Sequence, residues 1–219
     1  VGNPTFFIAC KMKKIPNEIL IATNNRGKFN EIADLLDSVK IKSIPTFDFN
    51  IEEPEETGET FAENSLLKAK YYAKKTGLFA LADDSGLCVS AMNDKPGIYS
   101  ARFAKNDDGK SDFDFAFKKI FTELEKNNFS DLKAYFICNL TIFDPQTDFS
   151  ISFEGRVDGN LTFPPKGNKG FGYDPIFIKN GMDKTFGEID PKEKDQISHR
   201  GEAFKKLLTW CSCNSSKHN

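Results

Sequence analysis

The sequence predicts an α/β fold, a mixed central β-sheet flanked by helices, in two closely joined lobes with a cleft between them. Apolar runs suited to strands alternate with stretches of helical period along most of the chain. Residues 134–143 and 149–157 flank Asp144-Pro145-Gln146-Thr147-Asp148, the pattern of two strands joined by a tight turn. Elsewhere helical segments separate the strands, so hairpin and crossover connections coexist and the sheet is mixed. A chain of 219 residues suits one domain, expected over 18–212. Residues 1–17 read as an extension, and 213–219 as a frayed tail.

The first sustained strand pattern is Ile19-Leu20-Ile21-Ala22. It runs through Thr23-Asn24-Asn25-Arg26-Gly27-Lys28 into a helix over 28–36, whose Phe29, Ile32, Leu35 and Leu36 share one face. After an acidic loop, Thr60 and Glu63 have capping-box spacing, and Gly77 supplies a stop for the helix between. Its apolar stripe is Ala62, Leu66, Ala69 and Ala73, which leaves Asn64, Lys68 and Tyr71 facing away. Phe79-Ala80-Leu81-Ala82 is a short buried strand that delivers Asp83-Asp84-Ser85-Gly86 at its end. Ser111 caps a helix carrying Phe113, Phe117, Ile120, Phe121 and Leu124, and a final helix follows Ile197-Ser198-His199-Arg200.

The formal net charge of -2 gives no overall basic field, which disfavours a nucleic-acid partner while leaving room for small anions at a local cluster. No apolar run is long enough for a membrane span. The five cysteines, Cys10, Cys88, Cys138, Cys211 and Cys213, are odd in number and scattered, without disulfide or paired zinc spacing. A cytoplasmic protein is the expectation.

Three constellations carry chemistry. Thr23 to Lys28 places amides and an ammonium at a helix N-terminus, where unpaired N–H groups and the dipole favour phosphate, although a small polar turn after a strand is also commonplace. Asp83-Asp84 sets two carboxylates side by side, a conflict that Mg²⁺ would resolve; side-chain alternation puts one in the cleft, and a plain Asx turn is the competing reading. Glu55 or Glu56 would add a second carboxylate, against the alternative that Glu52, Glu53, Glu55 and Glu56 are solvated surface. Phe171-Gly172-Tyr173-Asp174 joins a stacking plane to a carboxylate edge reader, with core packing as the competing role, and His199-Arg200 offers donors to a base carbonyl.

Taken in order, Ile21–Lys28, Glu56–Asn64 with Lys68-Ala69, Leu81–Leu87, Pro96–Arg102, Gly170–Pro175 and Ile197–Arg200 resemble the inosine triphosphate pyrophosphatase family, over about Ile19 to Leu208. The resemblance implies hydrolysis of ITP, dITP or XTP between the α and β phosphates, a need for Mg²⁺ with Mn²⁺ as an alternative, and a homodimer. By matching positions it implies Asp84 as the catalytic residue and, with Glu55, the metal site. It implies Thr23, Asn24, Asn25, Arg26, Gly27, Lys28, Lys68, Ser85, Phe171, Gly172, Tyr173, Asp174, Lys194, His199 and Arg200 as the substrate contacts. Asn24 stands where the family commonly has glycine, and Asn is the residue that best tolerates a left-handed backbone there. The nearest rival is the related Maf type, which cuts pyrimidine triphosphates; a non-catalytic nucleotide-binding protein is a rival of another class.

Overall fold

A computed structural model describes residues 15–126 and 128–215. Most of the expected extension and the last four residues of the expected tail lie outside that range. β1 (Glu18–Ile21) pairs in parallel with β2 (Lys42–Pro45) and with the start of β3 (Ala80–Val89). β3 then runs antiparallel to β5 (Lys133–Asp144), β5 to β6 (Phe149–Leu161), and β6 to β7 (Phe177–Lys179). The short β4 (Lys95–Pro96) pairs with the end of β3. The sheet is mixed, as expected, in the order β2-β1-β3-β5-β6-β7.

The helix after β1, α1 (Arg26–Asp37), begins two residues before Lys28 because Asn25 caps it, its side chain accepting from the Lys28 amide at 3.0 Å. α2 (Phe61–Thr76) has the expected capping box between Thr60 and Glu63 and ends on Gly77 at φ 73. Asn64 and Lys68, off the apolar stripe of this helix, are nonetheless buried. The loop before the helix covers them, with the Gly58 amide donating to Asn64 Oδ1 at 2.8 Å and Lys68 bonding Glu56.

Asp83-Asp84-Ser85-Gly86 is also placed differently. It is mid-strand, in register with Leu140, Asn139, Cys138 and Ile137 of β5, so the Asx turn is excluded. β3 continues past its apolar start because cations reach both aspartates from opposite faces of the sheet. α3 (Ser100–Phe103) is followed by α4 (Phe113–Lys126), whose cap is Asp112, bonding the Phe115 amide at 3.0 Å, and not Ser111, which bridges Lys105. α5 (Pro191–Ile197) leads into α6 (His199–Ser215), which extends helically into the expected tail.

Alternation along β1 sends Ile19 and Ile21 to one apolar cluster, with Ile32, Leu81, Leu140, Phe204 and Leu207, and Leu20 and Ala22 to another, with Ala69, Tyr72 and Ala82. A third cluster holds Leu87, Val89, Phe117, Phe136 and Phe177 at the far end of β3 and β5. The polar residues of β3 sit between Leu81 and Leu87, where the clusters part. Gly155 of β6 lets the start of α6 approach the sheet: a Cβ there would collide with the backbone of His199 and Ala203. That approach carries Arg200 to β3. Among the described residues, no helix is long and apolar enough to cross a membrane.

Candidate active site

The two adjacent aspartates serve different faces. Asp84 Oδ1 accepts from Lys68 Nζ at 2.9 Å, and the same ammonium donates to Glu56 Oε1 at 2.5 Å. Asp84 Oδ2 is buried with no hydrogen-bond partner among the described residues. Burial pushes the Asp84 carboxyl upward, only partly opposed by Lys68 and Lys28. Desolvation acts the same way on Glu56, but Lys68 and Lys28 together outweigh it and hold Glu56 below the usual range. Lys68 itself is raised, because Asp84 and Glu56 overcome the effect of its burial. Of the acidic loop, Glu56 is therefore the residue brought to Asp84, and Arg102 NH2 pins its backbone carbonyl at 2.7 Å. Glu55, expected at the metal from the resemblance, is exposed.

On the opposite face Asp83 meets Lys28 Nζ at 2.6 Å and Arg200 Nε at 3.0 Å. These cations hold it well below the carboxylate range despite complete burial. Lys28 extends from the turn between β1 and α1, whose geometry is tightly set. The Thr23 hydroxyl accepts from the Asn25 amide at 3.2 Å, and Thr46 donates to the Thr23 carbonyl at 2.6 Å and to Asn24 Oδ1 at 3.1 Å. Asn24 is not among the left-handed residues, so the expected backbone argument for Asn is not needed. Arg26 is exposed, its guanidinium 5.0 Å from the Phe47 ring centre. Gly27 lies against Phe171: a Cβ there would lie 2.6 Å from the Phe171 ring.

A narrow groove is lined by residues of both the turn and the second half of the chain, among them Asn25, Lys28, Ser85, Phe171, Lys194 and His199. Phe171 is half-buried and offers the stacking plane, whereas Tyr173 is core, edge-on to Phe113 with its hydroxyl donating to the Ser100 carbonyl at 2.9 Å. Gly172 connects them at φ 66. Asp174 Oδ2 accepts from the Phe171 amide at 2.8 Å and from Lys194, which also bonds Glu31 Oε1 at 2.7 Å. Burial raises Asp174, with Lys194 opposing. His199 stacks on Phe136 with ring centres 4.7 Å apart. Burial, then Arg200 and Lys194, keep it far below the usual histidine range, so the imidazole is neutral, and its Nδ1 has no partner among the described residues. Arg200 bonds Asp83, Glu31 and, at 3.0 Å, Ser85 Oγ. A larger hollow between Phe117, Phe121 and Phe163 carries only Asp114 and Lys118 as charges and lacks the donor set a triphosphate needs.

A model of the Ham1 family matches residues 19–210. The chain belongs to the Ham1 family. It is 44% identical over 197 residues to a dITP/XTP pyrophosphatase of Zymomonas mobilis, spanning 90% of this chain and 92% of that protein. It is 47% identical over 190 residues to a dITP/XTP pyrophosphatase of Caulobacter vibrioides, spanning 87% and 95%. Among solved structures, a HAM1 protein from Coxiella burnetii superposes with a TM-score of 0.77 at 42% identity, over 88% of this chain and 96% of that one. The Staphylococcus aureus Ham1 protein gives 0.76 at 36% identity, over 90% and 98%.

Within this Ham1 chain, one residue that sequence reasoning missed is Glu31, which clamps Lys194 and Arg200 together. The available signal was its position four residues after Gly27, one helical turn from the phosphate turn. Glu31 also faces Asp195 of α5, whose carboxyl is pushed up to about 7 by burial, then by Glu31 and Asp34. A raised carboxyl takes up a proton on folding, so its contribution to stability is lost as pH climbs from the ordinary aspartate range through 7. Asp195→Asn is therefore expected to unfold at a higher temperature than the parent at pH 8, by about 3 °C for about 1 kcal/mol once solvent screening is allowed for. The gap should narrow toward pH 5 in thermal melts; a gap that does not change with pH contradicts the assignment.

Proposed function

We propose that this chain hydrolyses non-standard purine nucleoside triphosphates, namely ITP, dITP and XTP, between the α and β phosphates, releasing the monophosphate and pyrophosphate and clearing these nucleotides from the pool. The observation that carries the proposal is one groove in which the turn bearing Lys28 meets an aromatic pocket rich in donors, with a lysine-paired aspartate that keeps a free buried oxygen on the other face of the same strand. The relatives are named for two of these substrates, dITP and XTP.

In this reading, residues 18–212 act as a single catalytic domain of two lobes. The first-turn amides of α1, with Asn25 and Lys28, hold the phosphates. Lys68 and Lys28 offset the charge that develops on the departing pyrophosphate. Asp84 orients the attacking water and accepts its proton. The residues present fit Mg²⁺: Asp84 Oδ2 is an unpartnered buried oxygen beside a second carboxylate, and Mg²⁺ takes one or two protein carboxylates with phosphate oxygens and water. Asp84 and Glu56 would hold it, with Glu55 the neighbour that the resemblance indicated. When bound, the ion supplies neutralisation of phosphate charge and polarisation of the α phosphorus. Mn²⁺ has the same oxygen preference.

Phe171 stacks on the base. Lys194, His199 and Arg200 face its edge, and the Arg200 guanidinium uses three of its five N–H groups on Asp83, Glu31 and Ser85. A 6-keto purine presents an acceptor to these donors, whereas adenine presents an amino group that leaves buried donors unpaired. A homodimer, which rests on the family resemblance, and a cytoplasmic location, which rests on the scattered cysteines without disulfide spacing, belong to the same proposal. Initial rates with Mg²⁺ over ITP, XTP, dITP, GTP, ATP and dUTP test it. Pyrophosphate release from ITP, dITP and XTP at least 100-fold faster, by kcat/KM, than from ATP is expected; a preference for dUTP, or no turnover, overturns it.

A further inference from the structure

We infer that Asp83 couples base recognition to phosphate placement, acting as a positioning residue that ties the cation at the base end of the groove to the cation at the phosphate end. The inference rests on the proposed hydrolysis of 6-keto purine triphosphates. Asp83 is fully buried, and each of its oxygens is shared by two donors. Oδ1 accepts from Lys28 Nζ at 2.6 Å and from Ser85 Oγ at 3.0 Å. Oδ2 accepts from Arg200 Nε at 3.0 Å and from Cys138 Sγ at 2.9 Å.

These donors come from elements far apart in sequence: α1, β3, β5 and α6. Two of them face opposite ends of the ligand. Lys28 belongs to the phosphate turn, and Arg200 sits 5.9 Å from the centre of the Phe171 ring on which the base stacks. A carboxylate is a rigid plane, so a shift of Arg200 toward a base carbonyl turns Oδ2, and Oδ1 carries Lys28 with it. Ser85 closes the circuit, because its hydroxyl donates to Oδ1 and accepts from Arg200 NH2. Cys138 is a donor without charge. Burial and then Asp83 push its thiol well above the usual range, so it stays protonated and donating. With both oxygens saturated, Asp83 has no free acceptor for water, which divides the labour: Asp84 serves the reaction and Asp83 serves the fit.

In low-dielectric networks of this kind, double-mutant cycles apportion the coupling. The cycle is Lys28→Gln with Arg200→Lys, read as kcat/KM for ITP. The expected result is non-additivity: the double variant retains at least ten-fold more activity than the product of the single losses predicts. In an Asp83→Asn background the same pair becomes additive within about three-fold. That background also loses at least ten-fold in the ratio of ITP to ATP turnover, a selectivity that general loosening of the fold would not remove. Additive single losses in the parent chain, with the parent active on ITP, overturn the coupling alone, and this arm does not require Asp83→Asn to fold. A parent chain inactive on ITP overturns the function and the coupling with it.

Discussion

Asp84→Asn is expected to lower kcat for ITP by about 10³-fold or more while the protein stays folded, because in the proposed reaction it removes both a proton acceptor and a metal-binding charge. The substitution is isosteric, and β3 keeps its pairing opposite Asn139. Lys68 retains Glu56 as an ionic partner and an amide oxygen in place of Oδ1. Burial disfavours the ionised Asp84, so replacing it leaves no large hole in stability, and the melting temperature at neutral pH should change by only a few degrees. Steady-state rates and a thermal melt on the same sample check this. Turnover within ten-fold of the parent would remove Asp84 from the chemistry.

The second large effect belongs to Lys68. Its ammonium lies buried between Glu56 and Asp84, so Lys68→Met brings two carboxylates face to face without a counter-charge. Removing one partner from a buried ion pair costs about 3–5 kcal/mol, some of which the carboxyls recover by binding a proton. Activity should suffer more than stability, since in the proposed reaction the same ammonium neutralises the leaving pyrophosphate: a loss of about 10³ in kcat/KM is expected, with a smaller one in Lys68→Arg. Urea unfolding separates the two consequences. A Lys68→Met protein that is destabilised yet catalyses normally would make Lys68 purely structural.

Much of this layout is legible in the sequence, for identifiable reasons. The helical period of Phe117, Ile120 and Leu124, the Thr60 and Glu63 box, and the turn between β5 and β6 are local signals, and each has its expected place. The failures come where partners distant in sequence decide. Asp83-Asp84 reads as a strand end because two charges rarely sit mid-strand, yet Lys28, Lys68 and Arg200 arrive from elsewhere and hold them there. That Asn64 and Lys68, off the apolar stripe of α2, are buried is not legible, because the loop that covers them has no periodicity of its own. The same irregularity hides which glutamate of that loop turns toward Asp84. Tyr173 and Phe171 are indistinguishable as aromatics two residues apart, and only packing against Phe113 and the Ser100 carbonyl commits the first to the core.

In the proposed reaction, water attacks the α phosphorus of a purine triphosphate held along this groove. A single turnover of ITP in ¹⁸O-labelled water, with the products separated and weighed, tests it most directly. The label is expected in the inosine monophosphate, with unlabelled pyrophosphate beside it. Label in pyrophosphate, or in inorganic phosphate released with a nucleoside diphosphate, would place the attack at the β or γ phosphorus and contradict the account.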